Sequence, residues 1–356
     1  MKAVVFHARN QPLLLEEAEL IIPGPDEVLV QVMACGADIT DWKILDGFAY
    51  IPKLPIVLGH ETAGVVAEVG SEVTGFKSGD RVAVYNYFYC GKCSYCRARR
   101  EQLCLNMAGL LGILERDGGY AEYTTVPARQ LVLVPENVAW HDAAVCCDAG
   151  ITAVHAVDRS GVKLGETVLV IGVGGVGAVV TQLCKLAGAR VVTVDQSEVK
   201  VQRAREMGAD TALNSREVDI TEAVLDLTEG KGADCVMDVV GVKETVTYGM
   251  DSLRRGGRLV LVGYTEERYP LKGEQLDQNE LTIIGTRGGR MLDLITTVQL
   301  VAAGKIKSIV TDFYPLEKAN DALAFLRAGQ ALGRVVLLTP AGRKAVGRRH
   351  TVPPMA

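Results

Sequence analysis

The segment TVLVIGVGGVGAVVTQLCKLAG, residues 167–188, limits the possible folds more than any other. It is an apolar run of strand length, then Gly172-x-Gly174-x-x-Gly177, then a helix-like stretch. A glycine triplet alone is a weak signal, but here the strand before it and the helix after it supply the context that it needs. In that context Gly172, Val173, Gly174, Gly175, Val176 and Gly177 form a turn whose backbone approaches a pyrophosphate, with the helix N-terminus facing the anion. The same rhythm continues in RVVTVD, DCVMDVVG and GRLVLVG, separated by helix-like segments such as EVKVQRAREMG. Nearly continuous apolar strands alternating with helices predict an α/β unit, a doubly wound parallel sheet covered on both faces. RVVTVD ends in Asp195, eighteen residues after Gly177. A carboxylate there accepts from a ribose 2′-hydroxyl and repels a 2′-phosphate, which favours NAD over NADP.

Before residue 150 the rhythm differs. EVLVQV, AGVVAEVG, DRVAVYNY and QLVLVP are short strand-like stretches broken by turn signals such as PGPDE and KSGD, and they predict a mostly-β domain. After residue 286, MLDLITTVQLVAAGKI and PLEKANDALAFLRAG read as amphipathic helices and GRVVLLT as a closing strand. The expected organisation is a β-rich domain at 1–149 completed by 287–340, a nucleotide-binding domain at 150–286, and a flexible polar tail at 341–356. A chain of 356 residues is long enough for two cores. A net charge of −5 without a basic block argues against a nucleic-acid partner. No window reaches about 18 uninterrupted apolar residues, so no membrane span is expected. The opening MKAVVFHARNQPLLLEE has an apolar run too short and too charge-flanked for a secretory signal, and the expectation is a cytoplasmic protein.

Nine cysteines without an export signal read as metal ligands or core thiols rather than disulfides. In CGKCSYCRARREQLC, Cys90, Cys93, Cys96 and Cys104 are spaced C-x2-C-x2-C-x7-C. Four sulfurs at this spacing suit a closed tetrahedral zinc shell, which organises a loop but leaves no position for substrate. An iron–sulfur cluster is the rival occupant. Lys92, Arg97, Arg99 and Arg100 offset the thiolate charge. Cys146, Cys147, Cys184 and Cys235 stand in apolar surroundings as core thiols, and Cys35 ends the apolar run Val28–Val30–Val32.

GHETAGVVAEVGSEV, residues 59–73, joins these features. Together with GDRV at 79–82, the cysteine loop, GGYAEY at 118–123, VGGVG, and GRVV at 333–336, it makes the chain resemble the zinc-dependent medium-chain alcohol dehydrogenase family. The resemblance covers residues 1 to about 340. It implies a GroES-like catalytic domain, a Rossmann coenzyme domain, NAD, and two zinc ions per chain, one structural and one catalytic. Cys35 and His60 match the first two catalytic ligands. The third stands four residues before a threonine that faces the nicotinamide; here that threonine is Thr152 and the ligand position holds Asp148. The same resemblance makes Glu61 a transient fourth ligand or close neighbour and Asp38 the acceptor from the zinc-bound histidine. Lys200 would contact the ribose and Arg334 the pyrophosphate. The implied reaction is reversible hydride transfer between NAD and a small alcohol or carbonyl substrate, in a homodimer or homotetramer.

The chain departs from the family in the proton path. The positions that usually carry a hydroxyl and a histidine hold Ala37 and Thr40. Three readings follow: water or Thr40 substitutes, the substrate brings its own ionisable group, or the proton goes to carbon, as in 1,4-reduction of a conjugated enone or enal. A non-catalytic nucleotide-binding protein is the remaining alternative, and the zinc trio argues against it.

Overall fold

The computed structural model describes residues 1–48 and 50–346. The chain divides into two compact units: Met1–Asp148 with Arg290–Gly304 and the chain from Ser308 onward, and Ala149–Gly289 with Lys305–Lys307.

The second unit is a parallel sheet. Among the described residues its strands lie in the spatial order Thr211–Asn214, Arg190–Asp195, Thr167–Ile171, Ala233–Asp238, Leu253–Leu261 and Thr282–Gly285. Numbered by appearance this is 3-2-1-4-5-6, the doubly wound order whose direction reverses beside the first strand. That strand leads directly into Gly172. The predicted apolar runs are its central strands, and they are buried because helices cover them: Leu169, Ile171, Val192, Val194, Val236 and Leu259 pack with Val224, Val246 and Met250. The strand Thr211–Asn214 was not foreseen, because four half-polar residues carry too little periodicity to register.

The first unit is built on a largely antiparallel sheet. Its path runs through Leu131–Leu133, Arg81–Val84, Glu61–Val69, Glu27–Ala37, Arg334–Leu338 and Val310–Pro315, with Tyr123–Pro127 also pairing with Glu27–Ala37. Glu27–Ala37 is central and buried along nearly its whole length, so its apolar residues are not confined to alternate positions. Its register with Glu61–Val69 sets Cys35 opposite Thr62 and Gly36 opposite Glu61. On its other side Ala37 pairs with Val335. The predicted late helices form as Met291–Ala302 and Ala319–Arg327.

The tail departs from expectation. Pro340–Val346 is a helix, begun by a proline that suits a first turn. Thr339 Oγ1 donates to Val32 O at 2.6 Å, and the Arg343 guanidinium forks onto Glu317 at 2.7 and 3.2 Å. A Cβ on Gly342 would lie 1.8 Å from Met33 O, so the glycine lets this helix sit directly on the central strand. The remainder of the tail, 347–356, lies outside the described residues. Among the described residues no helix is long and apolar enough to cross a membrane.

Candidate active site

The four-cysteine loop closes on itself. Cys90 and Cys96 Sγ are 3.9 Å apart, Cys93 and Cys96 3.4 Å, and Cys93 and Cys104 3.9 Å. A tetrahedral zinc with sulfurs at about 2.3 Å requires edges of about 3.8 Å, whereas a disulfide requires about 2.05 Å. The donor set therefore fits a closed zinc shell. Backbone N–H groups of Lys92 and Cys93 pull the Cys90 thiol down to about 6, while burial pushes Cys96 up to about 12.

A second cluster forms where the central strand ends. Asp38 follows Ala37 as the N-cap of the helix Ile39–Leu45, with Asp38 Oδ1 accepting from Thr40 N–H at 2.7 Å. Asp41 Oδ2 returns the favour to Asp38 N–H at 3.1 Å, completing a capping box. His60 and Glu61 stand at the start of the neighbouring strand, both buried. Asp148 comes from a π-helical segment, Cys146–Gly150, inserted between the helices Trp140–Val145 and Ile151–Ser160. The added residue of a π-turn rotates the side chains that follow it, a device often found at functional sites.

Ligand atoms of Asp38, His60 and Asp148 lie within 4.8 Å of one another. His60 Nε2 is 3.7 Å from Asp38 Oδ1 and 3.8 Å from Asp148 Oδ2, spacings close to the edges of one metal shell. Neither ring nitrogen of His60 makes a hydrogen bond, although both are buried. A buried imidazole left this way among carboxylates suits a metal ion. Burial opposes a charge on His60, but Asp38 and Asp41 outweigh it and hold the ring well above its usual range. Burial likewise opposes ionisation of Asp38, and His60 and Arg334 overcome it to hold the carboxyl well below its usual range. Burial pushes Glu61 up to about 7 against the pull of Arg334.

Several expected residues have further neighbours that the sequence did not indicate. Cys35 Sγ is not in the cluster: burial raises the thiol, which donates to Gly36 O at 3.6 Å and lies 3.6 Å from Thr62 Oγ1. Asp38 Oδ1, which caps the helix, lies 3.7 Å from His60 Nε2, beyond hydrogen-bond reach, and its Oδ2 faces the Arg334 guanidinium at 3.4 Å. Arg334, expected at a pyrophosphate, ion-pairs with Glu61 and Asp38 and is itself buried. Two buried carboxylates require such a cation nearby. Thr40, a candidate in the proton path, gives its N–H to the helix cap, a contact that does not engage its hydroxyl. Cys147 settles into the core, its thiol donating to Thr62 O and Ala143 O.

Sequence reasoning missed Asp41, Tyr120 and the glycines around them. Asp41 Oδ1 stands 3.3 Å from His60 Nδ1, and Tyr120 donates to Asp41 Oδ2 at 2.8 Å. The D-x-x-D capping pattern at 38–41 was the available signal. A Cβ on Gly59, at φ +100°, would lie 2.4 Å from the Tyr120 ring and 2.7 Å from Cys35 Sγ.

In the second unit the glycine fingerprint has the expected geometry. Gly172 has φ +88°, and Gly174 is the N-cap of the helix Gly175–Leu186. A Cβ on Gly177 would lie 1.8 Å from Gly172 O, so this glycine permits the close strand–helix approach. Asp195 Oδ2 accepts from Val173 N–H at 2.9 Å, and its Oδ1 from Ser197 N–H at 3.0 Å, which holds the carboxylate against the turn. Lys200 lies on the following helix Glu198–Glu206, and Thr152 is half-buried on Ile151–Ser160.

Comparison with known proteins agrees with this architecture. Residues 24–136 match the model of the alcohol dehydrogenase GroES-like domain, and residues 175–303 match that of the zinc-binding dehydrogenase. An alcohol dehydrogenase of Geobacillus stearothermophilus is 38% identical over 341 residues, covering 95% of this chain and 99% of that protein. An NAD-dependent alcohol dehydrogenase of Sulfurisphaera tokodaii is 34% identical over 348 residues, with 95% and 100% covered. The solved structure of a cobalt- and zinc-bound thermostable alcohol dehydrogenase from Pyrobaculum aerophilum superposes with a TM-score of 0.85 at 34% identity, covering 95% of this chain and 99% of that one. Its fold, its fingerprint and its relatives make the chain a member of the zinc-dependent medium-chain alcohol dehydrogenase family, an NAD- and zinc-using oxidoreductase of alcohols and carbonyl compounds.

Proposed function

We propose that this chain interconverts an alcohol and its aldehyde or ketone with NAD, using one zinc at Cys35, His60 and Asp148 and a second in the four-cysteine loop. The observation that carries the reading is the convergence of buried His60 and part-exposed Asp148, with His60 Nε2 3.8 Å from Asp148 Oδ2; His60 immediately precedes Glu61, which pairs with Gly36 next to Cys35. In this reading the Cys35 thiol, now 3.6 Å from Gly36 O and from Thr62 Oγ1, completes the set. Thiolate and carboxylate then balance a divalent ion. When bound, zinc supplies Lewis acidity to the substrate oxygen and NAD takes up or delivers the hydride.

The chain's own residues orient and exclude. Gly36 leaves the space that Glu61 occupies, since a Cβ there would lie 1.8 Å from Glu61 Oε2. Arg334 keeps Glu61 beside the cluster as a paired carboxylate. Asp195, braced by the glycine turn, selects a free ribose hydroxyl. Nine unpaired cysteines suit a reducing compartment such as the cytoplasm.

A second reading, 1,4-reduction of an enone or enal, is favoured by Ala37. It is fully buried, pairs with Val335 and offers no proton donor on the face it shares with Cys35. Metal analysis with an NADH-consumption screen of aldehydes, ketones and enones separates the two. Asp148→Ala is expected to reduce zinc from two ions per chain to one and to abolish turnover. Retention of both ions would refute Asp148 as a ligand.

A further inference from the structure

The geometry points to Asp41 as the residue that positions His60, in a buried chain Tyr120–Asp41–His60, with Asp38 left to the helix cap and Arg334. This rests on the zinc reading above and goes beyond it by assigning the support of one ligand. All three members are buried: Asp41 and Tyr120 have no exposed surface and His60 has 1%. Asp41 Oδ2 accepts from Tyr120 O–H at 2.8 Å and from Asp38 N–H at 3.1 Å. Its Oδ1 is buried without a hydrogen bond and lies 3.3 Å from His60 Nδ1, itself without one. The two unsatisfied buried atoms lie 3.3 Å apart, close enough that a small turn of the ring lets a proton on Nδ1 answer both.

That proton fixes the tautomer. With Nδ1 donating to Asp41, Nε2 carries the lone pair, and Nε2 is the nitrogen facing Asp148. Asp38 cannot take this role from its present position. Its Oδ1 is on the Nε2 side at 3.7 Å and already accepts from Thr40 N–H, and its Oδ2 faces Arg334. The chemistry also specifies a carboxylate at position 41. Three donors converge there, the Asp38 N–H, the Tyr120 hydroxyl and the His60 Nδ1–H, and only an acceptor-only group satisfies all three. Asparagine in either amide orientation would point an N–H at one of them. Tyr120 reaches Asp41 because Gly59 has no side chain in the path of its ring.

The test uses the full chain carrying Co2+ in place of zinc, with Asp41→Asn, Tyr120→Phe and Asp38→Asn compared by chelator competition and by the cobalt absorption bands. Asp41→Asn is expected to weaken Co2+ at this site about 10–100-fold and to shift its bands, as loss of a ligand's supporting partner typically does. Metal in the four-cysteine loop is expected to stay unchanged. Tyr120→Phe keeps the ring and removes one donor, so a smaller loss in the same direction is expected even if Asp41→Asn folds poorly. Wild-type affinity and bands in both variants, or a larger loss from Asp38→Asn, would overturn the assignment while leaving the zinc reading intact. A wild-type chain that takes up metal only in the four-cysteine loop would overturn both.

Discussion

Gly36 shows how tightly single residues are specified at this site. It faces Glu61 across the sheet, and the Glu61 carboxylate crosses the space where a side chain would begin. Gly36→Ala is expected to cost about 1–3 kcal/mol of stability by overpacking, and to push Glu61 away from Arg334. A thermal melt and a steady-state assay check it; an unchanged melting temperature with unchanged kcat would show that Glu61 is free to yield. Residues whose identity carries their chemistry were legible in the sequence: the four loop cysteines, His60, Asp195 and the anomalous Asp148. Roles set by side-chain direction were not legible. Nothing in the order of residues says that Asp38 turns to Arg334, 296 positions away, while Asp41 takes the face of His60.

At the scale of elements, apolar runs revealed the central parallel strands because those strands are buried on both faces. The helix Pro340–Val346 was hidden for the opposite reason. Its sequence, PAGRKAV, is short, contains a glycine and shows no apolar periodicity, and it is held by long-range partners, Val32, Met33 and Glu317. The π-helical segment was also invisible, since it differs from an α-helix by one residue of pitch. The cysteine loop was legible from spacing alone, and its behaviour is testable. Cys104→Ser is expected to lower zinc from two ions to one per chain and to speed tryptic cleavage at the exposed Arg97, Arg99 and Arg100, because metal binding there substitutes for a core. Unchanged zinc content measured by atomic absorption would contradict a structural zinc in this loop.

At the scale of the whole molecule, the site draws on both ends of the chain. The first unit's central strand pairs with Arg334–Leu338, a segment that follows the entire second unit in sequence. A chain ended at Gly333 would lack both that strand and Arg334. It is expected to show no catalytic-site metal and no turnover, read by metal content and NADH consumption, while its coenzyme unit keeps its own sheet; wild-type turnover would contradict the dependence.

The pairing of Arg334 with Asp38 and Glu61 also sets a clock on biosynthesis. The two carboxylates leave the ribosome early, and their counter-charge follows 296 residues after Asp38. At roughly 5–20 residues per second the interval is on the order of 15–60 seconds. Through that time the first half of the site stays open, its acids hydrated rather than buried. The strand Arg334–Leu338 therefore seals the site as well as the sheet, and a newly made enzyme becomes able to work only once that segment has been made.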